Sequence, residues 1–93
     1  MKYIRVKWKQ SNPNEPVWLY SELDDNRWEV RKVEIFADGR RGYAGEGREF
    51  GGTGLGEVPI PPLEEIAKDH EFDPTEITQK EFEEVWLEAI KSK

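Results

Sequence analysis

Residues 21–42 read SELDDNRWEVRKVEIFADGRRG, and this stretch decides the fold. Asp24-Asp25-Asn26 forms a tight turn, because these side chains bond their own backbone and tolerate left-handed geometry. A long strand follows, from about Arg27 to Ala37. Within it Trp28 and Val30 are in phase, and so are Val33 and Ile35, but the two pairs are out of phase with each other. One residue slips near Arg31-Lys32. Either a β-bulge adds it, or the apolar side changes because the strand twists beneath two packing partners. Asp38-Gly39 supplies a two-residue hairpin turn, and Arg40–Ala44 returns as the next strand.

Working outward, Tyr3–Lys9 alternates, with Ile4, Val6 and Trp8 on one face and Tyr3, Arg5, Lys7 and Lys9 on the other. Gln10–Pro16 (QSNPNEP) is a loop rich in turn formers. Val17–Leu23 is a strand with Val17, Leu19, Ser21 and Leu23 on one side and Trp18, Tyr20 and Glu22 on the other. From Gly45 to Pro62 the alternation is lost, although Glu57-Val58-Pro59-Ile60 is extended enough for a short edge strand. Pro62–Lys68 predicts a short helical turn, opened by Pro and two acidic residues. Thr78-Gln79-Lys80-Glu81 is a capping box, with Ile77 and Phe82 spaced as its hydrophobic staple. Phe82, Val85, Trp86, Ala89 and Ile90 then form one apolar stripe of a helix. The pattern predicts a single α+β domain over residues 1–93: a four- to five-stranded antiparallel meander with a C-terminal α-helix on one face.

Hydrophobic residues make up 35% of the chain and charged residues 37%, a polar balance offset by eleven Trp, Phe and Tyr rings available for a core. With no cysteine, disulfides, thiolate metal sites and thiol nucleophiles are excluded. No run approaches the ~20 apolar residues of a membrane span or resembles a signal peptide, so the expected setting is the cytoplasm. Residues 1–44 carry nine Lys/Arg against seven Asp/Glu, a balance of +2; residues 45–93 carry five against thirteen, −8. That asymmetry disfavours nucleic acid as partner and favours a basic protein or plain solubility.

Several constellations invite chemistry. The run Gly51-Gly52-Thr53-Gly54-Leu55-Gly56 suggests a phosphate loop, but Glu57-Val58-Pro59 cannot start the helix such a loop requires, and no Gly-Lys-Ser/Thr is present. A loop packed close to a backbone explains these glycines better. The carboxylates Glu22/Asp24/Asp25, Glu64/Glu65 and Glu83/Glu84 fall in turns or on solvated faces. His70, the only histidine, lies in a polar connector. No catalytic residue, cofactor or metal-ligand set is read from these patterns. Arg27, Arg31, Lys32, Arg40 and Arg41 gather near Trp18, Tyr20 and Tyr43, but Glu22, Glu29 and Glu34 are interleaved, as cross-strand ion pairing requires.

The run Tyr20–Phe36 resembles a family of small bacterial proteins catalogued as a domain of unknown function. The similarity extends to Asp38-Gly39-Arg40, Gly42-Tyr43-Ala44, the Gly-rich segment leading to Pro59-Ile60-Pro61, and the start Tyr3–Trp8. The resemblance implies an α+β architecture and carries no assigned activity. Small acidic proteins of this kind point to immunity proteins of bacterial toxin systems, an implication tied to no particular residue. The leading expectation is therefore a non-catalytic protein-binding domain that neutralises a basic toxin. Glu22, Asp24 and Asp25 at the hairpin end, with Glu83, Glu84 and Glu88 on the helix, are the expected contacts. The alternative is a small-ligand, nucleotide or single-stranded nucleic-acid domain that uses the sheet face opposite the helix, lined by Trp18, Tyr20, Arg27, Arg31 and Tyr43. A small enzyme is a third and weaker expectation.

Overall fold

The computed structural model describes residues 1–91 as an open antiparallel sheet packed on both sides. Its strands are β1 (Lys2–Trp8), β2 (Trp18–Leu23), β3 (Glu29–Ile35), β4 (Arg41–Gly45), β5 (Arg48–Phe50) and β6 (Phe72–Glu76). The helices are α1 (Leu63–Ile66) and α2 (Gln79–Lys91). The spatial order β5-β4-β3-β2-β1-β6 is a meander of the first five strands, with the sixth returning to the far edge beside β1. The α+β architecture is the one expected, with six strands in place of four or five.

The two additional strands have clear local causes. Gly45 pairs with Arg48 across Glu46-Gly47, whose φ angles of 56° and 76° make the two-residue turn that suits strand twist. This hairpin lies inside the segment expected to be irregular. Strand β6 pairs with β1 from Ile4↔Glu76 to Trp8↔Phe72, and it tolerates Pro74 because it is an edge strand. Segment 57–60, by contrast, is not a strand. The β3–β4 loop is longer than expected: Ala37-Asp38-Gly39 lies between Phe36 and Arg40, whose backbones bond at 2.9 Å, and Gly39 takes φ +91°.

The slip in β3 lies at Val30. Glu22 faces Arg31 while Leu23 faces Glu29, which leaves Val30 without a partner. Residues two apart in a strand normally share a face. The extra residue instead sends Glu29 and Arg31 to opposite faces. Glu29 joins Lys32 and Glu34; Arg31 joins Val33 and Ile35. The bulge and the double packing therefore occur together.

Helix α2 covers one face, where Tyr3, Val33, Tyr43, Ile77, Phe82, Trp86 and Ala89 are buried as one cluster. Its start is capped as predicted. The Thr78 hydroxyl accepts from the Glu81 N–H at 3.1 Å, and the Glu81 carboxylate accepts from the Thr78 N–H at 3.3 Å. On the opposite face Ile4, Val6 and Leu23 form a second cluster, against which Leu19, Ile60, Leu63, Ile66 and Phe72 pack. That second, smaller core contains an opening.

Candidate functional site

Strand β3 builds a polar cluster on each face of the sheet. On the α2 side, the Arg31 guanidinium donates to both oxygens of Glu22, at 2.6 and 3.0 Å, and to both oxygens of Glu83 on α2, at 2.9 and 2.6 Å. The Tyr3 hydroxyl donates to Glu22 at 2.9 Å. The rings of Phe82 and Trp86 lie 5.0 and 5.2 Å from the guanidinium carbon. Gly45, at φ +136°, makes room: a Cβ there would come within 2.7 Å of the Arg31 side chain and 2.9 Å of the Val30 carbonyl. Hydrogen bonds from Arg31 hold the Glu22 carboxyl below its ordinary value despite burial, and do the same at Glu83. Burial, reinforced by Glu22, pushes the Tyr3 hydroxyl up. Four of the five guanidinium N–H groups are bonded to two carboxylates and Glu46 stands 3.9 Å from Nη1, so the cluster ties β1, β2, β3 and α2 together.

The opposite face is built differently. Ser21 donates to Glu29 at 3.1 Å, and the Gly56 N–H donates to the other oxygen of Glu29 at 2.6 Å. The Thr53 hydroxyl donates to Glu34 at 2.7 Å and is itself buried. Thr53 sits directly over Gly42, where any side chain would collide with it. The glycine-rich loop is therefore folded down on the sheet by two carboxylates. Gly51 and Gly52 take φ of 73° and 81°, and a Cβ on Gly51 would come within 3.0 Å of the Gly42 backbone, which accounts for these glycines as a close-packed loop. Between the two carboxylates lies Lys32, with its ammonium 3.6 Å from Glu29 and 3.8 Å from Glu34.

Beside this polar group is a cavity of about 360 Å³. Ile4, Val6 and Leu19 form its apolar part, Ile60, Ile66 and Phe72 its walls, and Ser21, Glu29 and Lys32 its polar end. Glu65 and Asp69 line it from the solvent side. Arg27 places one wall. Its side chain donates to the carbonyls of Ile60 and Pro61 at 2.7 and 2.9 Å, and its carbonyl accepts from the Ile60 N–H at 2.8 Å. Arg27 holds this position in left-handed geometry, φ 66°, at the end of the turn that Asp24 stabilises.

The expected contact residues are dispersed. Glu22 and Glu83 are committed to Arg31, Asp24 accepts from two backbone N–H groups of its own turn, and Glu88 lies 3.3 Å from Arg41. Asp25 and Glu84 are exposed. The alternative ligand face is not opposite the helix. Tyr20, Arg31 and Tyr43 pack with α2 because their strand phase matches Tyr3 and Val33, while Arg27 clamps the Ile60 segment. Trp18 lies beside Tyr20, with ring centroids 6.4 Å apart, and Arg5 and Lys7 lie over the Trp18 ring. Among the described residues no group of three or more His, Cys, Asp or Glu side chains is placed to hold a metal ion. None forms a helix long and apolar enough to cross a membrane.

Fold and site together define a small open-sheet α+β domain with one closed polar face and one that holds a cavity. The chain belongs to the family described as a domain of unknown function, DUF6881, whose model matches residues 2–91. No curated protein and no solved structure matches it.

Proposed function

We propose that the protein is a non-catalytic binding domain for a basic protein partner, acting in the cytoplasm as a bacterial immunity protein that occludes a basic toxin domain. The observation that carries this reading is where the negative charge collects. Residues 57–76 hold seven Asp/Glu against Lys68 alone, a balance of −6 that equals the net charge of the whole chain. All seven side chains belong to exposed residues, and among the described cations only Lys2 comes within 4 Å of one of them, at 3.8 Å from Glu76. Helix α1 and β6 pack together, so most of this charge lies at one edge of the sheet. Pro74 discourages strand addition there, which leaves charge as the means of recognition.

Such an edge steers a basic surface toward it, and rim charges act mainly on association rate and salt dependence. Calorimetry with the product of the neighbouring gene tests this. A complex is expected whose affinity falls as salt is raised, and whose association slows in the variant Glu64→Gln/Glu65→Gln/Asp73→Asn. Absence of any heat of binding at low salt would sink the proposal.

A further inference from the structure

Independently of any protein partner, we propose that the cavity opposite α2 is a binding site for a small amphiphile with an apolar body and an uncharged hydrogen-bond acceptor, such as an amide or ketone carbonyl. The volume of about 360 Å³ falls at the small end of the about 300–1,000 Å³ typical of ligand sites. Its composition is also typical: a mostly apolar lining with a small number of polar side chains.

Lys32 selects the head group. Its side chain is only 16% exposed, yet its ammonium stands 3.6 and 3.8 Å from the flanking carboxylates, beyond hydrogen-bonding reach. No described group accepts a hydrogen bond from it, whereas Glu29 and Glu34 are each bonded by other donors. The cavity therefore presents unused donors at the end of an apolar slot. Leaving such donors unmade inside a site is what allows discrimination against ligands that lack the matching acceptor.

Charge decides which acceptor fits. A carboxylate would approach Lys32 but also Glu29 and Glu34 beside it, and would pass Glu65 and Asp69 on the way in. A protonated amine would suit those carboxylates but would point a like charge at Lys32. An uncharged carbonyl accepts from the ammonium and meets neither repulsion. Its chain then lies along Ile4, Val6, Leu19 and Ile66.

Hexanamide, hexanoate and hexylamine share one apolar body and differ in the head, so they test the assignment directly. Two-dimensional NMR titration should show hexanamide shifting the signals of Lys32, Ser21, Leu19 and Ile66. Its Kd should be lower than that of either charged analogue by about tenfold, the factor equivalent to 1.4 kcal/mol. In Lys32→Met the preference for the amide should collapse while weak binding of the apolar chain persists. Ile66→Trp, which fills the slot from the half-exposed α1, should abolish all three titrations and serves if Lys32→Met does not fold. The proposal is overturned if a charged analogue binds as tightly as the amide, if the amide shifts resonances elsewhere, or if none of the three perturbs the cavity.

Discussion

Arg31 and Lys32 are adjacent in one strand and point to opposite faces of one sheet, and their surroundings differ in kind. Arg31 is enclosed by Glu22, Glu83, Phe82 and Trp86, with its guanidinium bonded to two carboxylates in fork geometry. Lys32 faces a cavity and makes ion pairs too long for hydrogen bonds. Arg31 has three carboxylates within 4 Å, Glu22, Glu83 and, at 3.9 Å, Glu46, and Lys32 has two, so carboxylates outnumber the cation on both faces. Hydrogen bonding separates them. A planar, multiply bonded guanidinium under a helix is an element of structure; a single-point ammonium without a hydrogen-bonded acceptor beside an apolar slot is an element of a site.

The strongest way to break this contrast is to remove Arg31. Arg31→Met should lower the unfolding free energy by about 3–5 kcal/mol, because Glu22 would stay buried without its cation. Urea denaturation measures it, and a loss no larger than that of Lys32→Met would show that the two faces are not different after all. The same cluster sets the response to acid. The folded Glu22 carboxyl lies below the ordinary value of 4.5, so its contribution is complete above about that pH and is lost as the pH falls toward the lower folded value. Urea midpoints should drop below pH 4.5 in the wild type, and that dependence should flatten in Arg31→Met. Tyr3 acts at the other end: its hydroxyl is raised above 10.0, so the stability it adds is present below that value and lost as pH rises past it.

How far the two faces could be read from sequence follows from what each depends on. The alternation of Tyr3–Trp8, the capping box at Thr78 and the apolar stripe of α2 are local patterns, and each formed where read. The phase break in β3 was also visible, displaced to Arg31-Lys32 from Val30. Its consequence was not, because choosing which carboxylate faces which cation requires the register with β2. Strand β6 was illegible for a similar reason: Asp73-Pro74-Thr75-Glu76 has poor strand character and owes its form to pairing with β1. Without β6 and the clamp of Arg27 on Ile60, no wall could be placed opposite Leu19, and so no cavity. The β4–β5 hairpin does carry a local signal. Glu46-Gly47 between Ala44-Gly45 and Arg48 has the spacing of a two-residue hairpin turn.

A smaller effect distinguishes the loop from the helix as a cover. Thr53→Val removes the hydroxyl that donates to Glu34 while keeping shape, in a residue that is 3% exposed. The expected loss is about 1–3 kcal/mol, the cost of a half-buried carboxylate left short of a donor. Hydrogen exchange should accelerate across the loop at residues 51–56 and stay unchanged in α2. Equal acceleration in both would mean that the two faces are energetically one unit and would erase the distinction.

Lys32→Met should cost less than Arg31→Met, about 1–3 kcal/mol: the buried Glu29 loses the only described cation within 4 Å, but no hydrogen bond is lost and the methionine keeps the apolar stem against the cavity. Glu29 would keep its bonds from Ser21 and the Gly56 N–H, and Glu34 its bond from Thr53. Only the through-space attraction at 3.6 and 3.8 Å disappears. A loss approaching that of Arg31→Met in the same urea titration would make Lys32 a structural ion, like its neighbour, and would remove the reason to expect a ligand at its free donors. A small loss leaves a half-buried charge that the fold does not need. Keeping its ammonium beside an apolar slot is then explained by what enters the slot, not by what holds the sheet together.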